Sequence, residues 1–215
     1  TFTYPGADLP VLTDINFSAE PGQTTAFIGS TGSGKSTLIN LIPRFYDVSA
    51  GQVLVDGIDV RDLELSELYK QIGYVPQKGV LFSGTIKSNI AYGNKKTTDN
   101  DMEKAAQIAQ ASEFIKKLDN GFNNKIAQGG ANVSGGQKQR LSIARAIAVK
   151  PKVFIFDDSF SALDYKTDTR LRHALYKETK DKTVLIVGQR INTIMNADKI
   201  IVINEGKIIG QGTHS

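Results

Sequence analysis

The sequence predicts an α/β protein whose core is a parallel sheet covered on both faces by helices. Three observations carry that prediction. Toward the carboxyl end, VFIF, TVLIV and KIIVI are short continuous apolar runs separated by helix-like segments such as 165–178, the pattern of strands buried on both faces. Upstream, TTAFIG (24–29) is a compact apolar run that ends in a glycine-rich turn, with a helix expected to start near Lys35. In GQVLVDGIDV, Asp56 and Gly57 separate two apolar stretches, the strongest hairpin signal in the chain.

The other elements follow from their periods. TFTY (1–4) and VLTDINF (11–17) read as strands and, with the hairpin, predict an amino-terminal antiparallel β subdomain. IGYVPQ (72–77) is a further strand. From about residue 81 to residue 149 the apolar positions recur at helical spacing, which predicts an inserted α-helical subdomain. No internal repeat, low-complexity tract or linker interrupts the chain. Residues 1–215 are therefore expected to be a single domain, with a core of about 1–80 and 147–215 and the helical subdomain at about 81–146.

Composition narrows the function classes. With 40% hydrophobic and 22% charged residues, the chain is ordinary globular protein rather than disordered. It has no cysteine, which excludes disulfide scaffolds, thiolate metal sites and cysteine nucleophiles. Twenty-six basic residues against 22 acidic ones leave +4, a weak partner signal that suits nucleic acid, an anionic membrane face or phosphate ligands alike; the phosphate-binding motifs below make a nucleic-acid partner unnecessary. No apolar run approaches the ~20 residues of a membrane span. The sequence opens at Thr1 inside a strand-like segment and closes just after another, so a soluble piece of a longer protein is expected.

The strongest motif is GSTGSGKST, comprising Gly29, Ser30, Thr31, Gly32, Ser33, Gly34, Lys35, Ser36 and Thr37, a full match to the phosphate-loop pattern. Its glycines let consecutive backbone N–H groups turn inward, and the helix that follows offers its positive end to phosphates. Lys35 can reach the β and γ phosphates of a nucleotide, and the Ser36 hydroxyl can ligate magnesium. Kinases, GTPases, helicases and transport ATPases all use such a loop, so it does not by itself choose among them.

VSGGQKQR (133–140) decides further. Ser134 is placed to cap a helix, and Gly135 and Gly136 permit close approach of a second phosphate group. Here the chain resembles the ABC ATPases, whose signature is LSGGQ; Val133 in place of leucine is the one departure, and Gln137 completes the motif. The resemblance covers essentially the whole chain and implies a P-loop NTPase of the ABC ATPase type. It implies that Tyr4, in FTYP, stacks on adenine and that Gln77, in YVPQ, reaches magnesium and the attacking water. Asp157, ending VFIFD, would hold magnesium with Ser36 and Gln77, while SALD (161–164) would cross to an opposite subunit. The cofactors implied are ATP and Mg2+, and the reaction is ATP plus water to ADP plus phosphate.

In this family two nucleotide-binding domains pack head to tail, each ATP lying between the phosphate loop of one and the signature of the other. LFSGTIKSNIAYG (81–93) resembles exporters fused to a membrane domain, multidrug and lipid exporters among them, which would place these residues at the cytoplasmic side of a cell membrane. In such exporters this segment and the loop before the signature receive the membrane part. That loop is here IAQGGAN (126–132), unlike the usual glutamate-rich version.

Two positions depart from the family at the catalytic centre, where the resemblance implies roles for Lys35, Gln77, Asp158 and Gln189. The residue after the magnesium aspartate is normally glutamate; Asp158 keeps the charge but is one methylene shorter. The family's switch histidine is replaced by Gln189, which can donate a hydrogen bond but carries no charge. Both changes leave binding chemistry in place and weaken hydrolysis, as in heterodimeric exporters with one attenuated ATP site. The competing readings are a homodimeric exporter domain, a soluble ATPase of DNA repair or translation, and a domain that senses ATP without hydrolysing it.

Overall fold

A computed structural model describes residues 1–94, 96–188 and 194–214. Its elements in chain order are β1 (Thr24–Ile28), α1 (Lys35–Asn40), β2 (Leu54–Val55), β3 (Ile58–Asp59), α2 (Leu65–Gln71), β4 (Ile72–Val75), β5 (Gly84–Thr85), α3 (Ile86–Ile90), α4 (Asp99–Ile108), α5 (Ser112–Lys116), β6 (Lys125–Ile126), α6 (Gly135–Ala148), β7 (Val153–Asp157), α7 (Tyr165–Glu178), β8 (Thr183–Val187), β9 (Lys199–Asn204) and β10 (Lys207–Gly212). Among the described residues, six strands form one sheet in the order β10-β9-β1-β8-β7-β4. Five of them run parallel, and β10 returns antiparallel along β9. The carboxyl ends of β1, β8, β7 and β4 therefore open along one edge of the sheet, where open α/β sheets bind their ligands.

Side-chain alternation divides the core between the two faces of this sheet. Phe154, Phe156, Val184 and Ile186 point to one face, where Ile86, Ile90, Met102, Leu141, Ile143, Leu171 and Leu175 of the helices cover them. Ile155, Leu185, Val187 and Phe27 point to the other, against Leu38 and Ile39 of α1, Leu68 of α2 and Val55 of the hairpin. Burial on both faces is why these strands read as unbroken apolar runs.

Several expectations change in detail. Residues 11–17 form no strand, and pairing at the amino terminus reduces to an isolated bridge between Phe2 and Leu12. The backbone leaves the extended region at Asp14, with φ at 50°, and the Thr13 N–H donates to the Gly206 carbonyl instead of to a neighbouring strand. The apolar residues of this segment still pack: Leu12 is in the core, with Ile15 and Phe17 against it. The antiparallel element that does form is the β2–β3 hairpin, with Asp56 at φ 51° and Gly57 at φ 78°, as a two-residue I′ turn requires. The strand expected at 72–77 stops at Val75, because Pro76 has no N–H to continue a ladder. The helical block also contains a short antiparallel ladder, β5 with β6, that apolar spacing does not announce.

Gly206, in the turn between β9 and β10, ties this scaffold to the glycine-rich loop. Its N–H donates to the Ser33 carbonyl at 3.0 Å. A β-carbon there would lie 2.0 Å from the Val11 carbonyl oxygen, on a backbone with φ at 72°. Gly206→Ala is expected to destabilise the fold by about 3 kcal/mol, lowering Tm by roughly 5–10 °C in a thermal melt. An unchanged Tm would show that the turn can relax away from Val11.

Candidate functional site

The loop Gly29–Gly34 leaves the carboxyl end of β1 and enters α1. Close packing dictates its glycines: a β-carbon on Gly29 would meet the Ile203 carbonyl oxygen at 2.1 Å, and one on Gly34 the Leu12 side chain at 2.7 Å. Gly34, in the left-handed region, also starts α1 without a side-chain cap, so the first N–H groups of that helix have no side-chain acceptor.

Lys35 is buried, 6% exposed, and its ammonium folds back over the loop. It donates to the carbonyls of Gly29 (2.9 Å) and Ser30 (2.7 Å) and to Ser33 Oγ (3.2 Å). Burial lowers its pKa below the usual lysine range, and the nearby carboxylates of Asp157 and Asp158 oppose that shift. Asp157 sits at the end of β7, where burial raises its pKa while the Ser36 hydrogen bond and the Lys35 charge pull it down. The Ser36 hydroxyl donates to Asp157 Oδ1 at 3.0 Å, joining residues 121 positions apart.

Gln77 follows β4, and its amide donates to Asp158 Oδ2 at 3.2 Å. Asp158 takes a left-handed backbone, φ 45°, and its N–H donates to the Val187 carbonyl of β8 at 2.9 Å. Lys35, Ser36, Asp157, Asp158 and Gln77 thus converge on one edge of the sheet. Gln189 lies outside the described residues.

Tyr4, the residue expected to stack on adenine, is held separately. Tyr4 OH shares a hydrogen bond of 2.9 Å with Thr37 Oγ1, fastening the Tyr4 ring to α1. Reading the sequence in order does not find this pair, since nothing in FTYP points to Thr37.

The signature residues lie elsewhere. Ser134 caps α6 and exchanges hydrogen bonds with Gln137: Ser134 Oγ accepts from the Gln137 N–H at 3.2 Å, and Gln137 Oε1 accepts from the Ser134 N–H at 2.9 Å. Ser134 and Gly135 are exposed and Gly136 is half-buried. Among the described residues, no hydrogen bond joins 134–137 to the loop 29–37. Asp164, the last residue of SALD, is occupied within its own chain, accepting from the Thr167 N–H as the cap of α7.

α6 also grips the segment on either side of Gln77. The Gln139 amide donates to the Pro76 carbonyl at 3.0 Å, and Arg145 donates to the Val80 and Asn89 carbonyls and to Asn89 Oδ1. The Arg145 guanidinium lies 5.1 Å from the centre of the Phe82 ring, and Phe82 stacks on Tyr92 at 4.3 Å. Both aromatic rings are exposed.

The donor set suits a hard cation bound largely through phosphate. Ser36 and Asp157 offer two adjacent oxygens, the small protein share that magnesium takes when substrate phosphates complete its shell. No cluster of three or more histidine or acidic residues able to hold a metal occurs among the described residues.

Comparison with known proteins finds relatives across the whole chain. Residues 12–161 match a family model described as ABC transporter. An uncharacterized ABC transporter ATP-binding protein of Mycobacterium tuberculosis is 52% identical over 217 residues, a match that takes in 100% of this chain and 37% of that protein. A Staphylococcus aureus protein, provisionally named a multidrug export ATP-binding/permease protein, is 48% identical over 214 residues with the same coverage, 100% and 37%. The solved structure of a bacterial Atm1-family ABC exporter with ATP bound superposes with a TM-score of 0.94 at 34% identity, covering 99% of this chain and 37% of that one. The chain thus spans little more than a third of the length of the relatives it matches.

Proposed function

This chain belongs to the ABC transporter family, and on that premise we propose that it is the ATP-binding and ATP-hydrolysing motor domain of an exporter for a small molecule, drug or lipid. The convergence of Lys35, the Ser36–Asp157 pair and the Gln77–Asp158 pair on one sheet edge carries this reading. Carbonyls of the glycine loop are the Lys35 acceptors in the structure, and phosphate oxygens, being charged, are better ones. Transfer of the ammonium from loop to phosphate costs no new burial of charge. Loop and helix N–H groups bind the remaining phosphate oxygens. Ser36 and Asp157 would hold magnesium, which when bound screens the phosphate charge. Asp158, oriented by the Gln77 amide, is the base that would accept a proton from attacking water.

The base is short and, by sequence, the switch position carries Gln189. Hydrolysis at this chain's own phosphate loop is accordingly slow. The start of α6, with Ser134 and Gly135 exposed, serves the phosphates held by a second nucleotide-binding domain, a different subunit with a complete site. The exposed Phe82–Tyr92 stack, tied to α6 by Arg145, receives the membrane part of the longer chain and transmits its movement to the signature helix.

Phosphate release at saturating ATP tests this reading. It is expected to require magnesium and to fall to background in Asp157→Asn, while calorimetry shows ATP still binding. Release that persists unchanged in Asp157→Asn, or ATP affinity indifferent to magnesium, overturns the assignment of this edge as the reaction centre.

A further inference from the structure

Tyr46 lies in the loop between α1 and the hairpin, outside every motif discussed above, yet its ring reaches the nucleobase end of the site. It meets the Tyr4 ring edge-on, with centroids 5.2 Å apart and planes at 89°, and its centroid is 5.5 Å from that of Phe2. Phe2, buried at 1% exposure, holds Tyr4 from another direction at 4.8 Å and 77°. The tip of Tyr4 is fastened to Thr37. Backbone contacts hold the two segments together as well: the Thr3 N–H donates to Ser49 Oγ at 2.9 Å, and the Ser49 and Ala50 N–H groups donate to the Thr1 carbonyl at 3.1 and 3.2 Å.

We infer that Tyr46 is a positioning residue for the nucleobase: through its edge-to-face contact it fixes the plane of the Tyr4 ring, and so makes the site favour a base-bearing triphosphate over inorganic triphosphate. The inference rests on the reading of Tyr4 as the ring on which the base stacks. A tyrosine turns readily about its Cα–Cβ bond, and a base that stacks on a loose ring must first stop that motion. Here Thr37 fixes the far end of the Tyr4 ring, while Phe2 and Tyr46 fix its plane. Tyr46 is 40% exposed, and its hydroxyl makes no hydrogen bond among the described residues. It is the ring that matters, and Phe should replace Tyr there without loss.

Titration calorimetry with magnesium ATP and with inorganic tripolyphosphate, on the parent chain and on Tyr46→Ala, Tyr46→Leu, Tyr46→Phe and Tyr4→Ala, tests this. Loss of one edge-to-face contact predicts that Tyr46→Ala and Tyr46→Leu bind ATP about two- to tenfold more weakly, with tripolyphosphate affinity unchanged. Tyr46→Phe should match the parent, and Tyr4→Ala should weaken ATP at least as much as Tyr46→Ala. If Tyr4→Ala weakens ATP while Tyr46→Ala and Tyr46→Leu do not, the positioning role is wrong and the stacking role of Tyr4 stands. A parallel fall in affinity for both ligands in Tyr46→Ala and Tyr46→Leu makes Tyr46 a structural residue only. An unaltered Tyr4→Ala removes the stacking reading and the inference with it.

Discussion

Lys35→Met is expected to weaken ATP binding by about a hundredfold while the fold survives. The ammonium makes three hydrogen bonds to loop oxygens, and two of these directed at phosphate, at about 1.5 kcal/mol each, amount to ~3 kcal/mol or about two decades of affinity. Stability moves much less, because two effects oppose. Methionine leaves the Gly29 and Ser30 carbonyls without this donor, but it also relieves the burial of a cation that is 6% exposed. Calorimetric titration with ATP, beside a thermal melt, reads both quantities. An affinity within threefold of the parent would mean that Lys35 serves the loop rather than the ligand.

Asp158→Glu combined with Gln189→His is expected to raise phosphate release, in the proposed assembly with a second nucleotide-binding domain, by about ten- to a hundredfold. The extra methylene moves the carboxylate by about 1 Å, a displacement worth on the order of a hundredfold where a base must meet a water. The exchange is not free. Asp158 sits at φ 45°, a conformation that aspartate tolerates better than glutamate, so the variant should lose about 1 kcal/mol of stability. Higher turnover at lower Tm is the expected signature, read from single-turnover phosphate release and a melt of the same protein. Turnover equal to the parent would show that these two residues do not limit the reaction.

Much of this site was legible in the sequence because its chemistry is local. The residues of GSTGSGKST act as one turn and one helix start, and VSGGQ as a cap in which Ser134 and Gln137, three positions apart, satisfy each other. Tyr46 gave no comparable signal: its neighbours Phe45 and Asp47 are ordinary loop residues, and its contact is with a ring 42 positions away in the chain. Residues 11–17 misled for a related reason. Val11, Ile15 and Phe17 fall at the even spacing of one strand face, yet it is Leu12, out of that register, that enters the core, with Ile15 and Phe17 packed against it and only an isolated bridge to Phe2. Apolar spacing reports which side chains are buried, not where the backbone finds its hydrogen bonds.

By itself, the sequence determined the α/β class, the glycine-rich turn into α1 and the capped start of α6, since each is a matter of residue type at short spacing. Tertiary structure alone decided that Ser36 meets Asp157, that Gln77 meets Asp158, that Tyr4 is anchored to Thr37 and that Gly206 backs the loop against Val11. The first two pairs join residues at or beyond strand ends that become neighbours only after a parallel sheet has assembled in the order β1-β8-β7-β4. Parallel strands need crossover connections many residues long, so the contacts that make the site are non-local, and no short window of sequence contains both partners.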